Sequence, residues 1–467
     1  MKAYAIKRKL GENKGSPRVW LEGNQPQSAG FLPKTRYSLV KNENEKSVVL
    51  TVSSDGERVV SMKMKNGKEY PVIDINSKEI LSMFAGCECV KVLFSENQIV
   101  LMPVASDAAK EKSKSNLVAN FANGQVTTGS VCHGGGILTH AVHHGLVNAG
   151  VKTKTSFVIE MRDDLVAQSQ KVNDAIDSDT VIFEAPLQEI AYDFSVNIPC
   201  VDILEMGLPC SGASVAGRAK NKTDMAESHP HVGWLVAPAM AILARVNPAI
   251  VLIENVPAYS SSASAEIMRG QLKYMGYTVN EAILDGSDFG SLEHRKRWCV
   301  VAVREGLDFD FNSLIHPKAP KNLGEVLDNS IPRDDPRWKE MAGLKAKQER
   351  DKAAGKGFMM QKVTEETTKC PTITKGYQKN RSTDPKVQHP ENKDLLRLFT
   401  PAEHARIKRI PEVLILGIDS ATMAHEILGQ SIIYTVFESV AQGIGESIKN
   451  FDAKKENESV NKMKCSA

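Results

Sequence analysis

The chain has 467 residues, 42% of them hydrophobic and 6% aromatic, which is long enough for two to four domains with at least one sizeable core. Its 59 Lys+Arg and 56 Asp+Glu leave a net charge of only +3, so any binding to nucleic acid has to come from locally concentrated charge. Eight scattered cysteines without a paired C-x-x-C spacing exclude a zinc ribbon, suggest no metal, and point to a reducing compartment. The start of the chain, Met1 to Arg8, lacks the apolar stretch of a signal peptide, and no segment is apolar for the roughly 20 residues that a membrane helix needs. A cytoplasmic protein without a membrane association is expected.

Residues 1–105 carry short β-rich runs such as Ser47 to Val52, punctuated by Asp55-Gly56 and Asn66-Gly67, two favoured hairpin turns. This is a small β module. Residues 106–123, rich in Lys, Ser and Ala at their start, read as a connector. From 124 to 305 the pattern changes to apolar runs at Thr155–Ile159, Thr180–Phe183, Val201–Leu204, Ala249–Ile253 and Trp298–Val303, separated by helical segments such as Val232–Arg245. Runs of this kind predict a parallel sheet covered on both faces, a doubly wound α/β domain. Residues 306–395 break the rhythm, 396–450 return to helix, and 451–467 read as a frayed polar tail.

Three loops in the α/β segment carry candidate chemistry. Val131-Cys132-His133-Gly134-Gly135-Gly136-Ile137 places three glycines between a strand and a helix, where the backbone can approach a nucleotide-like cofactor, and Glu160 at the end of the next strand can accept from ribose hydroxyls. An ordinary tight turn and a solvent-exposed acid are the structural alternatives. Gly207-Leu208-Pro209-Cys210-Ser211-Gly212 delivers a cysteine to the carboxyl end of a strand, suited to a thiolate nucleophile, or equally an inert Cys in a Gly-rich turn. Glu254-Asn255-Val256-Pro257 follows five apolar residues and brings a carboxylate to the same rim; those surroundings are expected to raise its pKa, unless the acid merely caps the following loop.

In this order the loops resemble the cytosine-carbon-5 methyltransferase family over about residues 129–449. The resemblance continues with Asp288-Phe289-Gly290, with Glu293-His294-Arg295-Lys296-Arg297 as the family's Gln-x-Arg-x-Arg element, with Leu398 to Arg406, and with Gly429-Gln430-Ser431-Ile432 as its Gly-Asn-Ser-Val. It implies a Rossmann-like S-adenosylmethionine-dependent methyltransferase domain, a target-recognition domain at 306–395, and sequence-specific methylation of a cytosine flipped out of double-stranded DNA. It also implies Cys210, Glu254, Asn255, Arg295 and Arg297 as catalytic residues, with Arg295 on the ring's O2, and Val131, Cys132, Gly134, Gly135, Gly136, Ile137, Glu160, Pro209, Gln430 and Ser431 around the cofactor. A cognate restriction endonuclease fits such a role. His133, Ser211, Glu293 and Gln430 depart from the family's usual residues.

The run from Arg337 to Lys362, eight basic residues against three acids, suits phosphate contact or a solvated helix face, and Lys375 to Arg381 surrounds Tyr377 with basic and amide groups as a base-reading loop. The rival readings are a transfer-RNA methyltransferase, an inactive DNA-binding relative and a nicotinamide-dependent oxidoreductase. Residues 15–105, with Trp20 and Phe31 expected in the core, look like the small β-barrel of SymE-type toxins and AbrB-like DNA binders.

Overall fold

The computed structural model describes residues 4–13, 16–85, 87–214, 217–218, 221–357 and 359–465, with side chains as far as 454. They divide into two compact units, 1–112 and 113–467. Among the described residues no helix is long and apolar enough to cross a membrane, and the seven cysteines from Cys87 to Cys370 are free thiols.

The first unit is β-rich. A six-stranded and a four-stranded sheet enclose a core that includes Val19, Leu21, Phe31, Val48, Leu50 and Ile99. Asn66-Gly67 is a two-residue hairpin loop with both residues left-handed (φ 52° and 72°), joining Ser61–Lys65 to Lys68–Ile75. Asp55-Gly56 makes no hairpin, because the strands on either side of it both pair with Arg36–Asn42 rather than with each other. Phe31 is core, but Trp20 is 39% exposed. In strand Ser16–Glu22 the side chains alternate, Val19 and Leu21 point inward, and the residue between them must face out.

The stretch read as a connector is largely the helix Ala105–Ala122. Its Ala, Lys and Asn residues keep an unbroken run free of Gly and Pro, and that composition suits a helix as well as a linker.

The second unit is built on seven strands: β1 (Val126–Val131), β2 (Thr153–Glu160), β3 (Val181–Glu184), β4 (Ile203–Met206), β5 (Ile250–Asn255), β6 (Tyr277–Asp285) and β7 (Lys296–Arg304). Their order across the sheet is β3-β2-β1-β4-β5-β7-β6. The first five are parallel, whereas β7 runs antiparallel between β5 and β6. Trp298–Val303 was expected among parallel strands; β6 and β7 are joined by only the residues 286–295, too few for the crossover a parallel pair requires. Alternation along β5 shows both faces covered. Ile250 and Leu252 join the core beneath helices α1 (Ile137–Asn148) and Tyr434–Cys465, while Val251 and Ile253 join the core beneath Val236–Val246 and Ala263–Tyr274. The Rossmann-like α/β expectation is met.

Residues 306–395 gather around Leu323, Val326, Val363, Ile373, Tyr377 and Val387, closed by Leu292 and Ile407 from the flanking segments. They contain the helix Ala342–Ala353, without a buried residue, and a small sheet of Gln361–Val363, Pro385–Gln388 and Leu396–Arg397. The polar run 451–467, expected to fray, continues the last helix to Cys465, its Lys, Glu and Ala residues being good helix formers; Ser466 and Ala467 lie outside the described residues.

Candidate active site

Carboxyl ends of parallel strands are where an open α/β sheet binds ligands, and the three predicted loops all leave the sheet there. After β1, the chain turns through Cys132 (φ 58°), Gly134 (φ 58°) and Gly136 (φ 76°) before α1 begins. A Cβ on Gly136 would lie 2.3 Å from Ser169 Oγ, and one on Gly135 would lie 2.7 Å from Ile427 Cγ2. On Gly134 it would meet nothing within 4 Å, so the loop is closed on two sides and open on one. Val131 and Ile137 bracket the loop, packed into the cores on opposite faces of the sheet. Burial pushes the Cys132 thiol up to about 12, which makes it an inert neutral group.

His133 fills the position where a glycine is usual by packing inward. Its Nε2 lies 2.8 Å from Ser169 Oγ and its Nδ1 2.9 Å from Thr139 Oγ1, and burial pulls it down to about 4, so the ring is neutral at pH 7. Glu160, at the tip of β2, is held by backbone: Oε2 accepts from Gly134 N (2.8 Å), and Oε1 from Met161 N (2.9 Å) and Arg162 N (3.1 Å). Neither a plain exposed acid nor a free one, it is fastened to the glycine loop.

β4 ends at Met206 and runs through Gly207 to Pro209 into a short turn, Cys210–Gly212. Asn255, 1% exposed at the end of β5, donates from Nδ2 to Leu208 O (3.1 Å) and accepts from Val256 N, tying this loop to the neighbouring strand. Burial, with the charge of Glu254, pushes the Cys210 thiol up, while Arg297 and Arg295 pull it down. Cys210 therefore shares one electrostatic neighbourhood with the acid and both arginines.

Glu254 differs from expectation. Its surroundings are not merely apolar: Arg297 Nε lies 2.6 Å from Glu254 Oε1, both side chains largely shielded from water. The pair forms because β7 lies beside β5 in a register that sets Asn255 against Trp298, one residue from each partner. Arg295 is 5% exposed; its NH1 group donates to Glu293 Oε1 (3.2 Å) and NH2 to Gly429 O (3.0 Å). Arg295 Nε and Glu293 Oε2 are buried without a hydrogen-bond partner among the described residues.

Sequence reasoning missed Lys408. Fully buried, it donates from Nζ to Ser431 Oγ (2.8 Å), Ser431 O (3.0 Å) and Leu428 O. Burial and the positive Arg295 and Arg297 lower its pKa well below the usual lysine range, against the pull of Glu293 and Glu254. Nothing local marked it, since its partners lie at least 20 residues away; only the fold brings them together. Ser431 is thus a ligand of Lys408, whereas Gln430 is exposed at the end of the helix Ala421–Gln430. Tyr377 is no base reader: fully buried, it donates to Pro385 O (2.6 Å) and accepts from Phe399 N (3.0 Å), because its run of basic neighbours folds around a core position.

Residues 139–446 match the family model described as C-5 cytosine-specific DNA methylase. Among curated relatives, the chain is 27% identical to the Type II methyltransferase M.MspI of Moraxella sp over 272 residues, 56% of this chain and 60% of that protein. It is also 27% identical to M.NlaX of Neisseria lactamica over 254 residues, 53% of this chain and 76% of that one. Of solved structures, the S. pombe Dnmt2 methyltransferase superposes with a TM-score of 0.52 at 18% identity, covering 68% of this chain and 97% of its own. The Entamoeba histolytica methyltransferase EhMeth superposes with a TM-score of 0.55 at 18% identity, covering 69% and 98%. The likeness to M.MspI spans less than two thirds of that protein, and the structural likenesses speak for the fold.

Proposed function

Since the chain belongs to the C-5 cytosine-specific DNA methylase family, we propose that it transfers a methyl group from S-adenosylmethionine to carbon 5 of cytosine in double-stranded DNA. One observation carries the reading: Cys210, Arg295 and the Glu254–Arg297 ion pair converge where β4, β5 and β7 meet one rim of the sheet. That grouping suits attack on an electron-poor ring.

The chemistry needs electron density added to a ring whose carbon 5 is a poor nucleophile. Cys210, as thiolate, bonds to carbon 6, while Glu254, protonated on Oε2, passes that proton to N3 and accepts from the exocyclic amine, so the charge entering the ring is held as a neutral enamine; the proton returns to Glu254 when the Cys210–carbon 6 bond breaks. Arg297 occupies Glu254 Oε1 and leaves Oε2 for the ring edge. Arg295, with Nε uncommitted, is assigned to the ring's O2. S-adenosylmethionine supplies the electrophilic methyl group. A base then takes the carbon 5 proton, the Cys210–carbon 6 bond breaks, and the thiolate is regenerated.

The glycine loop fits this cofactor: its open side is at Gly134, and Glu160 stands at that side. Asn255 and Pro209 are positioning residues for the nucleophile loop, and Ser431 acts through Lys408. The target base must leave the stack at a cost of a few kcal/mol. Residues 306–395 are the assigned target-recognition region, with Arg350 and Lys352 on phosphates.

Bisulfite sequencing of DNA from cells expressing the protein should reveal one short methylated motif, and a duplex carrying 5-fluorocytosine in that motif should trap Cys210 covalently. Unmodified DNA from cells containing soluble, folded protein would refute the proposal, as would transfer that survives Cys210→Ala.

A further inference from the structure

Away from this rim, α1 carries His140, His143 and His144, and the turn after the helix Asp163–Val172 carries Asp174. Residues four apart share a helix face, so the His140 and His144 rings stack, centroids 4.2 Å apart. Asp174 Oδ1 lies 3.3 Å from His140 Nε2 and 3.1 Å from His144 Nε2. A zinc ion with nitrogen and oxygen ligands at about 2.0–2.2 Å in a tetrahedron needs ligand atoms roughly 3.3–3.5 Å apart. Both nitrogen–oxygen separations are close to that edge, and the three ligand atoms all lie within 4.8 Å of one another.

The surroundings suit a cation. His140 Nδ1 is 2.7 Å from Tyr434 Oη. When Nδ1 donates to that oxygen, Nε2 turns its lone pair toward the Asp174 carboxylate, a repulsive contact until a cation lies between them; such a hydrogen bond behind the ring is usual for metal-bound imidazole. The His140 side chain is 5% exposed but Asp174 is 63% exposed, so the group opens to solvent on the carboxylate side. His143 Nδ1, buried on the same helical turn, has no hydrogen-bond partner among the described residues.

We infer that His140, His144 and Asp174 form a site for a zinc-class divalent metal that clasps α1 to the turn following Asp163–Val172. Two imidazoles and one carboxylate select Zn²⁺, Co²⁺ or Ni²⁺ over Mg²⁺ and Ca²⁺, which prefer all-oxygen sets. The clasp acts on the wall of the glycine loop, since Asn173, next to the carboxylate ligand, donates to Gly136 O (3.0 Å) and Ser169 contacts His133.

The test uses the full chain without a histidine tag, stripped by chelator, and titrated with ZnCl₂ by calorimetry and with CoCl₂ by visible absorption. One zinc should bind per chain, MgCl₂ should give no heat, and Co²⁺ should show tetrahedral d–d bands without thiolate charge transfer. His144→Ala and Asp174→Asn should each weaken zinc by at least about tenfold. Asp174 is exposed enough that its variant keeps the fold and decides the matter should His144→Ala unfold. Unchanged zinc affinity in a folded variant, or a thiolate charge-transfer band showing capture by cysteine, overturns the site.

Discussion

At the scale of single residues, the Glu254–Arg297 pair is the feature on which most depends. A half-removed buried ion pair leaves an uncompensated charge, a loss of about 3–5 kcal/mol when both groups are shielded from water. Arg297→Ala should therefore slow methyl transfer by about 10²-fold or more, the scale of losing one preorganised electrostatic group. Arg297→Lys should fall between that variant and the wild type, because it keeps the charge but not the planar fork. Single-turnover transfer to a cognate duplex, with cofactor affinity measured alongside, checks this. If Arg297→Ala turns over like the wild type, Arg297 has no part in the site. Cys210, Glu254 and Asn255 were legible in the sequence because each stands where an apolar run gives way to a Gly- or Pro-containing loop. The partner of Glu254 was not legible as such, since the pairing needs β7 placed beside β5.

At the scale of elements, the strands were readable from their apolar runs, each displaced by a residue or two, because a fully buried strand looks the same in every register. The direction of β7 was not, and β6 went unseen: its burial is mixed, and Tyr277 to Asp285 lacks a continuous apolar stretch. Half of the basic residues between Arg337 and Lys362, namely Lys345, Lys347, Arg350 and Lys352, lie on the helix Ala342–Ala353, which buries no side chain. Several of its charges are already neutralised, Lys345 by Asp394 and Lys347 by Asp351, whereas Arg350 and Lys352 make no ion pair among the described residues. Those two are the phosphate-contact candidates. Arg350→Ala with Lys352→Ala should flatten the dependence of log affinity on log salt by about two released ions, leaving sequence preference intact. Fluorescence anisotropy on cognate and scrambled duplexes across a salt series measures both. An unaltered slope would return the helix to the role of a solvated face.

At the scale of the whole molecule, the near-neutral net charge hides an unusual load of buried titratable groups in the second unit, and these set how the fold responds to acid. His133 and His425 are each pulled down to about 4, chiefly by burial, and His404, stacked on His425 with their Nδ1 atoms 3.0 Å apart, is pulled well below the ordinary value. A folded-state pKa below the unfolded value of about 6.5 means that the unfolded chain binds protons which the fold refuses, so stability falls as pH drops below about 6.5 toward 4. Glu205 acts the other way. Burial pushes it up to about 7, so between pH 7 and 4.5 the folded state takes the proton more readily and gains stability. One carboxylate offsets about one histidine. Each tenfold difference in proton affinity between the folded and unfolded chain is worth about 1.4 kcal/mol, so His133 and His425 withdraw stability on that scale as pH falls toward 5, while Asp202, Asp384 and Glu438, raised by burial, return part of it at lower pH. The melting temperature should therefore decline steadily from pH 7 to pH 5, before ordinary carboxylates titrate. His425→Gln should lessen that decline, whatever it does to stability at pH 7. Thermal scans at fixed ionic strength over this range provide the measurement, and a melting temperature that holds or rises toward pH 5 would mean that these rings accept protons within the fold.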